Sequence, residues 1–227
     1  MKQLNMRKKA GGGFLITFCG LDGCGKTTMI NRLKNDLLAN CEVFLTKQPT
    51  ESVRKSDIFR TYMDSPDHSN YDYRSLSLLA ASDRIQHTSK VIEPALREGK
   101  IILSDRYFYS CLANLRARGF ENDNWIYEIA ENLIEPDVAF FFDVPVEIAV
   151  CRVRRRPEEK ERYIDMELQY KLRQEYIEIC NANNGILIQT EKPEDECYQI
   201  VKKTIERKLK NEHERKSLFA DERIERA

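Results

Sequence analysis

The sequence predicts an α/β fold in which a mostly parallel sheet of five strands carries helices on both faces. Five short apolar segments are typical of buried strands, and each is separated from the next by a stretch long enough for a helix. Such alternation is typical of parallel sheets, because the chain must cross a face of the sheet before it begins the next strand. Hydrophobic residues make up 41% of the 227, which suffices for one buried core.

The predicted elements follow in a regular order. The strands are expected at 14–19, 43–46, 101–104, 138–144 and 186–189. A helical pattern begins at Lys26, directly after the first strand. A long helix is expected over 73–98, with an apolar stripe that belongs either to the core or to a contact between subunits. The members of that stripe are Leu78, Ile85, Ile92 and Leu96. The last helix repeats apolar residues every four positions, at Cys197, Val201, Ile205 and Leu209.

The chain is expected to form one domain with two charged ends. We place the domain at 13–210, between a basic N-terminal tail at 1–12 and a charged C-terminal tail at 211–227. The C-terminal tail has few large apolar residues, so a solvated tail or a frayed helix is expected there. Neither an internal repeat nor a second domain boundary is visible in the sequence.

Charge and cysteine content exclude several classes of protein. The 37 Lys and Arg balance the 37 Asp and Glu, so no global basic field favours a nucleic acid or a membrane as a partner. No apolar run approaches the roughly 20 residues that span a bilayer, and the first ten residues lack the apolar core of a signal peptide. The seven cysteines form no C-x-x-C pair and are expected to be free thiols. A cytoplasmic location is therefore expected.

A glycine-rich segment after the first predicted strand matches the phosphate-binding P-loop, G-x-x-x-x-G-K-[ST]. Nucleotide binding is assigned to nine consecutive residues, Gly20, Leu21, Asp22, Gly23, Cys24, Gly25, Lys26, Thr27 and Thr28. Backbone N–H groups of such a loop surround phosphate oxygens, Lys26 is expected to reach the terminal phosphates, and Thr27 to ligate magnesium. A chance match in a glycine turn is disfavoured by the strand before it and the helix after it. The sequence therefore predicts a site for ATP and Mg²⁺.

The end of the third strand carries a second set of charged residues. Asp105 and Arg106 lie at the carboxyl edge of the sheet, where open α/β sheets bind their ligands. We expect Asp105 to hold magnesium through water and Arg106 to bind an acceptor phosphate with its two-pronged guanidinium. The alternative is that the two side chains only pair with each other.

A dense run of charge over about 152–163 predicts a short arginine-rich lid. Its catalytic candidates are Arg154, Arg155 and Arg156. Arginines that close over a transferring phosphoryl group stabilise its charge and exclude water. The competing interpretation is a solvated charged surface.

Arg84 on the long helix also has two interpretations. It could donate to a base or phosphate, or it could form an ion pair at the surface.

In combination, these residues resemble the thymidylate kinases, a family of nucleoside monophosphate kinases with the P-loop kinase fold. The resemblance extends from about residue 14 to 208 and follows the order of the family's motifs. Those motifs are residues 20–28, Thr46-Lys47-Gln48-Pro49, Ala81-Ser82-Asp83-Arg84, Pro94-Ala95-Leu96-x-x-Gly99, Ser104-Asp105-Arg106-Tyr107-x-x-Ser110 and Asp143-Val144-Pro145. The set is far more specific than any one of its members.

The resemblance implies roles for individual residues. Asp22 would hold the 3′-hydroxyl of the acceptor nucleotide, Arg106 and Lys47 its phosphate, and Arg84 would face its base. Ser110 is assigned to the same substrate site. In members whose P-loop lacks an arginine the lid supplies one, and this loop has Gly23 and Cys24 at the corresponding positions. A homodimer built largely from the long helix is also implied.

Three departures from the family pattern concern the base and the sugar. Lys47-Gln48-Pro49 replaces Arg-Glu-Pro, Ala80 replaces an aromatic residue that stacks on thymine, and Ala113-Asn114-Leu115 replaces Ala-Tyr-Gln. Lysine keeps the charge of arginine but cannot bind in a bidentate manner. Candidates for a replacement aromatic stack are Tyr71, Tyr73, Tyr107 and Phe108.

The expected reaction is the ATP-dependent phosphorylation of a nucleoside monophosphate, dTMP to dTDP, by in-line transfer. No general base is needed, because the acceptor phosphate is already anionic near neutral pH. One alternative is a deoxynucleoside kinase, which needs a carboxylate after the second strand, where this chain has Gln48 with Glu51 nearby. The other is a catalytically silent nucleotide-binding protein that keeps the fold.

Overall fold

Five parallel strands form the central sheet, as the sequence predicts. The computed structural model describes residues 1–39, 41–64 and 71–224. The strands are β1 Phe14–Gly20, β2 Val43–Lys47, β3 Ile101–Asp105, β4 Val138–Asp143 and β5 Ile186–Gln189. Their order across the sheet is β2-β3-β1-β4-β5. Every residue of β1 and β4 is buried, because both strands lie inside the sheet with helices over both faces.

Ten α-helices connect and cover the strands in the described part of the chain. They are α1 Lys26–Leu37, α2 Glu51–Arg54, α3 Asp57–Asp64, α4 Tyr73–His87, α5 Glu93–Arg97, α6 Tyr109–Arg116, α7 Trp125–Ala130, α8 Val146–Arg154, α9 Met166–Ala182 and α10 Glu194–Ile224. A π-helical turn over Thr88–Ile92 joins α4 to α5, and a 3₁₀ turn over Pro157–Glu159 lies in the lid segment.

The strand register brings the predicted site together. Lys47 at the end of β2 is opposite Asp105 of β3, and Phe18 of β1 is opposite Asp105 on its other side. The next residues after these strand ends are therefore neighbours at one edge of the sheet. This edge is the carboxyl edge, where an open parallel sheet leaves room for a ligand.

The long helix predicted over 73–98 is present, but its apolar stripe is interrupted. Ile92 and Leu96 are fully buried, whereas the side chain of Leu78 is 48% exposed. The π-helical turn between the two halves adds a residue to one turn, so positions before it are rotated relative to positions after it. The expectation that Leu78 shares one face with Ile92 is therefore wrong.

Both ends of the chain are structured where the structure describes them. Cys197, Val201 and Ile205 of α10 are buried, which confirms the four-residue pattern, and the helix continues to Ile224. Near the N-terminus, Leu4 and Met6 are buried, and Arg7 forms a parallel bridge to Ile134. The first residues therefore pack onto the domain. The domain bounds of 13–210 stay a prediction.

Two further expectations concern the whole chain. All seven cysteines are free thiols, and Cys151 is the exposed one. Burial raises the pKa of the Cys19 thiol to about 12, so this side chain is a neutral core residue.

Among the described helices, none combines the length and apolar character needed to cross a bilayer.

Candidate active site

A cavity of about 380 Å³ opens at the carboxyl edge of the sheet. Its walls come from the P-loop, the ends of β2 and β3, the lid and the start of α10. The charged residues that line it include Asp22, Lys26, Lys47, Asp105 and Arg106. The structure thus brings most of the predicted site residues to one place, and the volume suits a small-molecule ligand.

The P-loop curls tightly because of its glycines. Gly23 has a φ of +83°, and a Cβ atom at this position would collide with the carbonyl oxygen of Ala149 in α8. Lys26 lies folded over the loop, with Nζ donating to the carbonyl oxygens of Gly20 at 3.0 Å and Leu21 at 2.7 Å. The loop therefore holds a buried ammonium group beside a ring of backbone atoms, which is the arrangement that binds phosphate.

Asp22 lies between two arginines. Its Oδ1 accepts from Arg106 Nη2 at 2.5 Å, and its Oδ2 lies 3.3 Å from Nη1 of Arg162 in the lid. Burial opposes ionisation of Asp22, but the charges of Arg106, Lys26 and Arg162 outweigh it and hold the pKa of the carboxyl well below its usual range. Asp22 is therefore a carboxylate near neutral pH and can accept from a hydroxyl.

The backbone of Arg106 is held in an unusual conformation. Its φ is +69°, in the left-handed region that few residues other than glycine adopt. Two hydrogen bonds maintain it, from the Arg106 N–H to the carbonyl of Phe18 at 2.9 Å and from Ser104 Oγ to the Arg106 carbonyl at 2.7 Å. Strain of this kind occurs at functional sites, and here it directs the guanidinium back toward the P-loop.

The guanidinium of Arg106 has a further partner that no sequence motif indicates. Nη1 donates to the hydroxyl of Tyr176 in α9 at 3.1 Å, and this hydroxyl in turn donates to Ser110 Oγ at 3.0 Å. Ser110 and Tyr176 are both buried. The periodicity of α9 marks Tyr176 only as a core position, so its contact with Arg106 becomes visible only in the packed structure.

Two groups at this edge fit a magnesium ion. Thr27 is exposed at the start of α1 and lines the cavity, as does Asp105. Asp105 Oδ2 pairs with Lys47 Nζ at 3.2 Å, while its buried Oδ1 has no hydrogen-bond partner among the described residues. Hydroxyl, carboxylate and phosphate oxygens are the donors that Mg²⁺ prefers, and it commonly takes few of them from protein.

The lid arginines occupy different positions. Arg156 lines the cavity, whereas Arg154 donates to the backbone carbonyl of Lys160 within the lid. Arg155 lies on the outer groove beside Ile148. Arg162 of the lid reaches Asp22 in the P-loop, although it was not among the predicted catalytic residues. Its pairing with Asp22 depends on how the lid folds back after the 3₁₀ turn, and the charge run alone does not specify this.

Arg152 of α8 also lines the cavity. Its Nη2 donates to the carbonyl of Thr190 at 2.9 Å, and Thr190 Oγ1 donates to the carbonyl of Cys24 at 3.0 Å. These contacts tie α8, the end of β5 and the P-loop together. They place an arginine at the mouth of the nucleotide site without a carboxylate partner among its described contacts.

The side of α4 that faces β2 is tightly packed. Arg84 is only 2% exposed and donates through Nη1 to the carbonyl of Ala80 at 2.8 Å. Asp83 accepts from the backbone N–H of Thr50 at 2.8 Å, and His87 is hydrogen-bonded to Thr46 at 2.6 Å. Arg84 is not among the described residues that line the cavity, so its contact with a base or phosphate stays a prediction.

The candidates for an aromatic stack separate into two groups. Tyr107 and Phe108 are fully buried, and the hydroxyl of Tyr107 donates to the carbonyl of Ile134. Both belong to the core, so the prediction that either of them stacks on the base is wrong. Tyr71 and Tyr73 are partly exposed. The guanidinium of Arg118 lies 3.9 Å from the ring centre of Tyr73.

Asn114, which replaces the tyrosine of the family pattern, is held on its own helix. Its Nδ2 donates to the carbonyl of Ser110 at 2.9 Å, and its Oδ1 accepts from Arg118 Nη1 at 2.9 Å. Gln48 is fully buried, and neither polar atom of its side chain has a partner among the described residues. A neutral amide therefore occupies the place where a deoxynucleoside kinase would need a carboxylate base.

Comparison with known proteins identifies the family of this chain. The sequence model of the family described as Thymidylate kinase matches residues 18–223. A probable thymidylate kinase of Pyrococcus horikoshii is 38% identical over 170 residues, covering 74% of this chain and 82% of that protein. Thymidylate kinases of a Geobacillus species and of onion yellows phytoplasma are each 33% identical, over 197 and 204 residues, and cover 83% and 86% of this chain and 93% and 96% of their own. The chain belongs to the thymidylate kinase family of nucleoside monophosphate kinases.

Proposed function

We propose that this protein transfers the γ-phosphoryl group of ATP to dTMP, giving dTDP and ADP, by in-line displacement. The observation that supports this most strongly is Arg106, whose guanidinium is fixed beside the P-loop by Asp22 and lines the same cavity as Lys26. Membership of the thymidylate kinase family implies the use of ATP and dTMP. The arrangement has one cation for the donor phosphates and another for an acceptor phosphate.

The chemistry requires position and charge rather than a base. The acceptor phosphate is an anionic nucleophile near neutral pH, so no side chain must remove a proton. Lys26 would hold the β- and γ-phosphates, Arg106 and Lys47 the acceptor phosphate, and the ionised Asp22 the sugar hydroxyl. The buried neutral amide of Gln48 is consistent with an acceptor whose phosphate already carries a negative charge.

Magnesium would be held by Thr27 directly and by Asp105 through water. When bound, the ion neutralises charge on the phosphates of ATP. Thr27 is exposed and lines the cavity, and one carboxylate oxygen of Asp105 has no hydrogen-bond partner in the described part of the chain, so both side chains can take these roles. The lid would contribute Arg156 and Arg162 to the transferring group, since these two lie on the cavity side.

The protein is further proposed to act in the cytoplasm as a homodimer that uses the outer face of α4. Leu78, on that face, is a large apolar side chain with 48% of its surface exposed, and Ile58 of α3 is also exposed. Exposed apolar side chains on neighbouring helices favour an interface. Light scattering of the purified protein would give a mass of two chains if this holds, and of one chain if it does not.

The experiment that tests the activity is ADP release from Mg-ATP with a panel of acceptors. The panel contains dTMP, dUMP, UMP, CMP, dCMP, GMP, AMP and the free nucleosides. A preference for dTMP supports the proposal, and turnover of nucleosides alone would replace it with a deoxynucleoside kinase. ATP binding without turnover of any acceptor would show a silent nucleotide-binding protein.

The matched variants are Lys26→Ala in the P-loop and Lys34→Ala two turns further along α1. The first should abolish turnover at unchanged folding, because it removes the ammonium group next to the phosphates. The second should behave as the wild type, because Lys34 lies away from the cavity lining. Equal turnover in Lys26→Ala would show that the phosphate site is misassigned.

A further inference from the structure

Tyr176 is a buried tyrosine whose hydroxyl both accepts and donates a hydrogen bond. It lies on the inner face of α9 and is 4% exposed. The oxygen accepts from Arg106 Nη1 at 3.1 Å and donates to Ser110 Oγ at 3.0 Å. A buried hydroxyl with both capacities satisfied is fixed in rotation, and it fixes the groups that it contacts.

The contacts of Arg106 leave a defined part of its guanidinium free. A guanidinium has five N–H donors. Nη1 donates to Tyr176 and, at 3.3 Å, to the carbonyl of Gly20, while Nη2 donates to Asp22 at 2.5 Å. The remaining donors are Nε–H and one hydrogen of Nη2, and neither has a partner among the described residues. A phosphate can accept from Nε and Nη2 together, in the bidentate geometry that arginine favours.

The chemistry of Tyr176 suits a positioning role. Burial raises the pKa of this hydroxyl, against the opposing effect of the Arg106 charge, so it stays neutral near neutral pH. A neutral hydroxyl accepts from the guanidinium without cancelling its charge. Without Tyr176, Nη1 would keep only its longer contact with the carbonyl of Gly20 at 3.3 Å, whereas Tyr176 at 3.1 Å adds a second fixed partner at this nitrogen while Asp22 holds Nη2.

We propose that Tyr176 is a positioning residue that fixes the guanidinium of Arg106 so that its Nε and Nη2 donors receive the acceptor phosphate. Ser110 acts in the same relay, because its hydroxyl fixes the rotation of the Tyr176 hydroxyl rather than contacting the nucleotide. This inference rests on the proposed function of the site, and it predicts an effect on the acceptor and not on ATP.

The test measures dTMP and ATP binding separately, by calorimetry, in the wild type and in Tyr176→Phe. Phenylalanine keeps the ring and removes the oxygen, so the core volume is retained. The dissociation constant for dTMP is expected to rise about tenfold, because the guanidinium of Arg106 must then be ordered when the phosphate binds, at a cost comparable to that of one hydrogen bond to a charged group. The constant for ATP should stay the same. Tyr170→Phe is the matched control, because its hydroxyl lies on the same helix but bonds to the exposed Glu147.

A double variant separates positioning from general packing. In an Arg106→Lys background, which lacks the guanidinium, Tyr176→Phe should produce no further loss of dTMP affinity. Equal losses for dTMP and ATP in Tyr176→Phe, or an additive loss in the double variant, would show a purely structural role. Unchanged dTMP affinity in Tyr176→Phe would also overturn the inference. A wild type that binds ATP but no nucleoside monophosphate would instead overturn the proposed function, and the inference with it.

Discussion

Arg162 connects the lid to the P-loop through Asp22, and this contact supports its proposed role at the transferring phosphoryl group. Its Nη1 also lies 3.2 Å from Glu159, so the side chain is held between a lid carboxylate and the loop. A sugar hydroxyl that bonds to Asp22 would compete for the same oxygens and free Arg162 to move toward a phosphate. The shared carboxylate would then couple acceptor binding to the position of the lid.

The variant Arg162→Ala should lower kcat about a hundredfold, because one preorganised cation over the transferring group is lost. The matched control is Lys160→Ala, which removes an exposed cation from the same lid. Steady-state assays with saturating dTMP and ATP compare the two. Equal activities of the wild type and Arg162→Ala would show that another lid arginine serves the reaction.

His87 should make stability depend on pH. Burial lowers its pKa, and the nearby Arg84 lowers it further while Asp83 opposes the change. The folded protein thus favours the neutral ring, so an unfolded chain binds more protons as the pH falls through about 6.5, and stability decreases there. Thermal melting at pH 7.5 and 5.5 should show a smaller drop in Tm for His87→Gln than for the wild type. An identical drop in both would exclude this group as the cause.

Some residues of the site can be predicted from the sequence, and others cannot. The P-loop, Asp105 and Arg106 are predicted because each follows a strand end and carries a motif. Tyr176 and Arg162 are not, because their contacts depend on how α9 and the lid fold back onto β1. Tyr107 and Phe108 were misassigned since an aromatic side chain beside a motif is equally suited to the core.

At the scale of elements, the P-loop and α8 constrain one another at Gly23. A Cβ atom there would collide with the backbone of Ala149, so the loop and the helix must separate to accept one. Gly99 has the same φ of +83°, but no atom of the described residues lies within 4 Å of its Cβ position. Alanine substitutions at the two glycines therefore distinguish the free-energy cost of the collision from the free-energy cost of the positive φ.

Gly99→Ala should reduce the free energy of unfolding by about 1 kcal/mol, since only the positive φ is unfavourable. Gly23→Ala should cost more and should also abolish ATP binding, because the loop is displaced. Urea unfolding and calorimetry with ATP measure both effects. Normal ATP affinity in Gly23→Ala would show that the contact with Ala149 does not shape the phosphate site.

The boundaries of the five strands follow closely from periodicity, whereas the interruption of the long helix does not. The strands and α10 appear where their patterns predict, because burial on the sheet and a four-residue repeat are local signals. The π-helical turn at Thr88–Ile92 has no such signal, since it changes the helical phase without changing composition. This is why the stripe from Leu78 to Leu96 was predicted as one face.

At the scale of the whole molecule, the N-terminal segment joins parts of the domain that are distant in the chain. The Leu4 N–H donates to Asn183 Oδ1 at the end of α9, and Arg7 pairs with Glu93 of α5. Lys9 pairs with Asp137 at 2.6 Å, before β4. A segment that sequence alone marks as a basic tail therefore contributes to the packing, because its cations find carboxylates only in the folded domain.

Leu4→Ala and Met6→Ala should each lower the free energy of unfolding by about 2–5 kcal/mol, because both side chains are buried. Gln3→Ala, an exposed position in the same segment, should change it by less than about 0.5 kcal/mol. Urea denaturation of the three variants makes the comparison. Wild-type stability in Leu4→Ala and Met6→Ala would show that this segment does not stay docked.

The measurement that tests the central claim most directly is phosphorus NMR of the protein with Mg-ATP and dTMP. The site predicts that the signals of dTDP and ADP appear together in equal amounts, and that Arg106→Ala, which keeps Lys26 and the P-loop, forms neither at a comparable rate. Release of inorganic phosphate and ADP without any dTDP would contradict an acceptor-phosphate site built around Arg106.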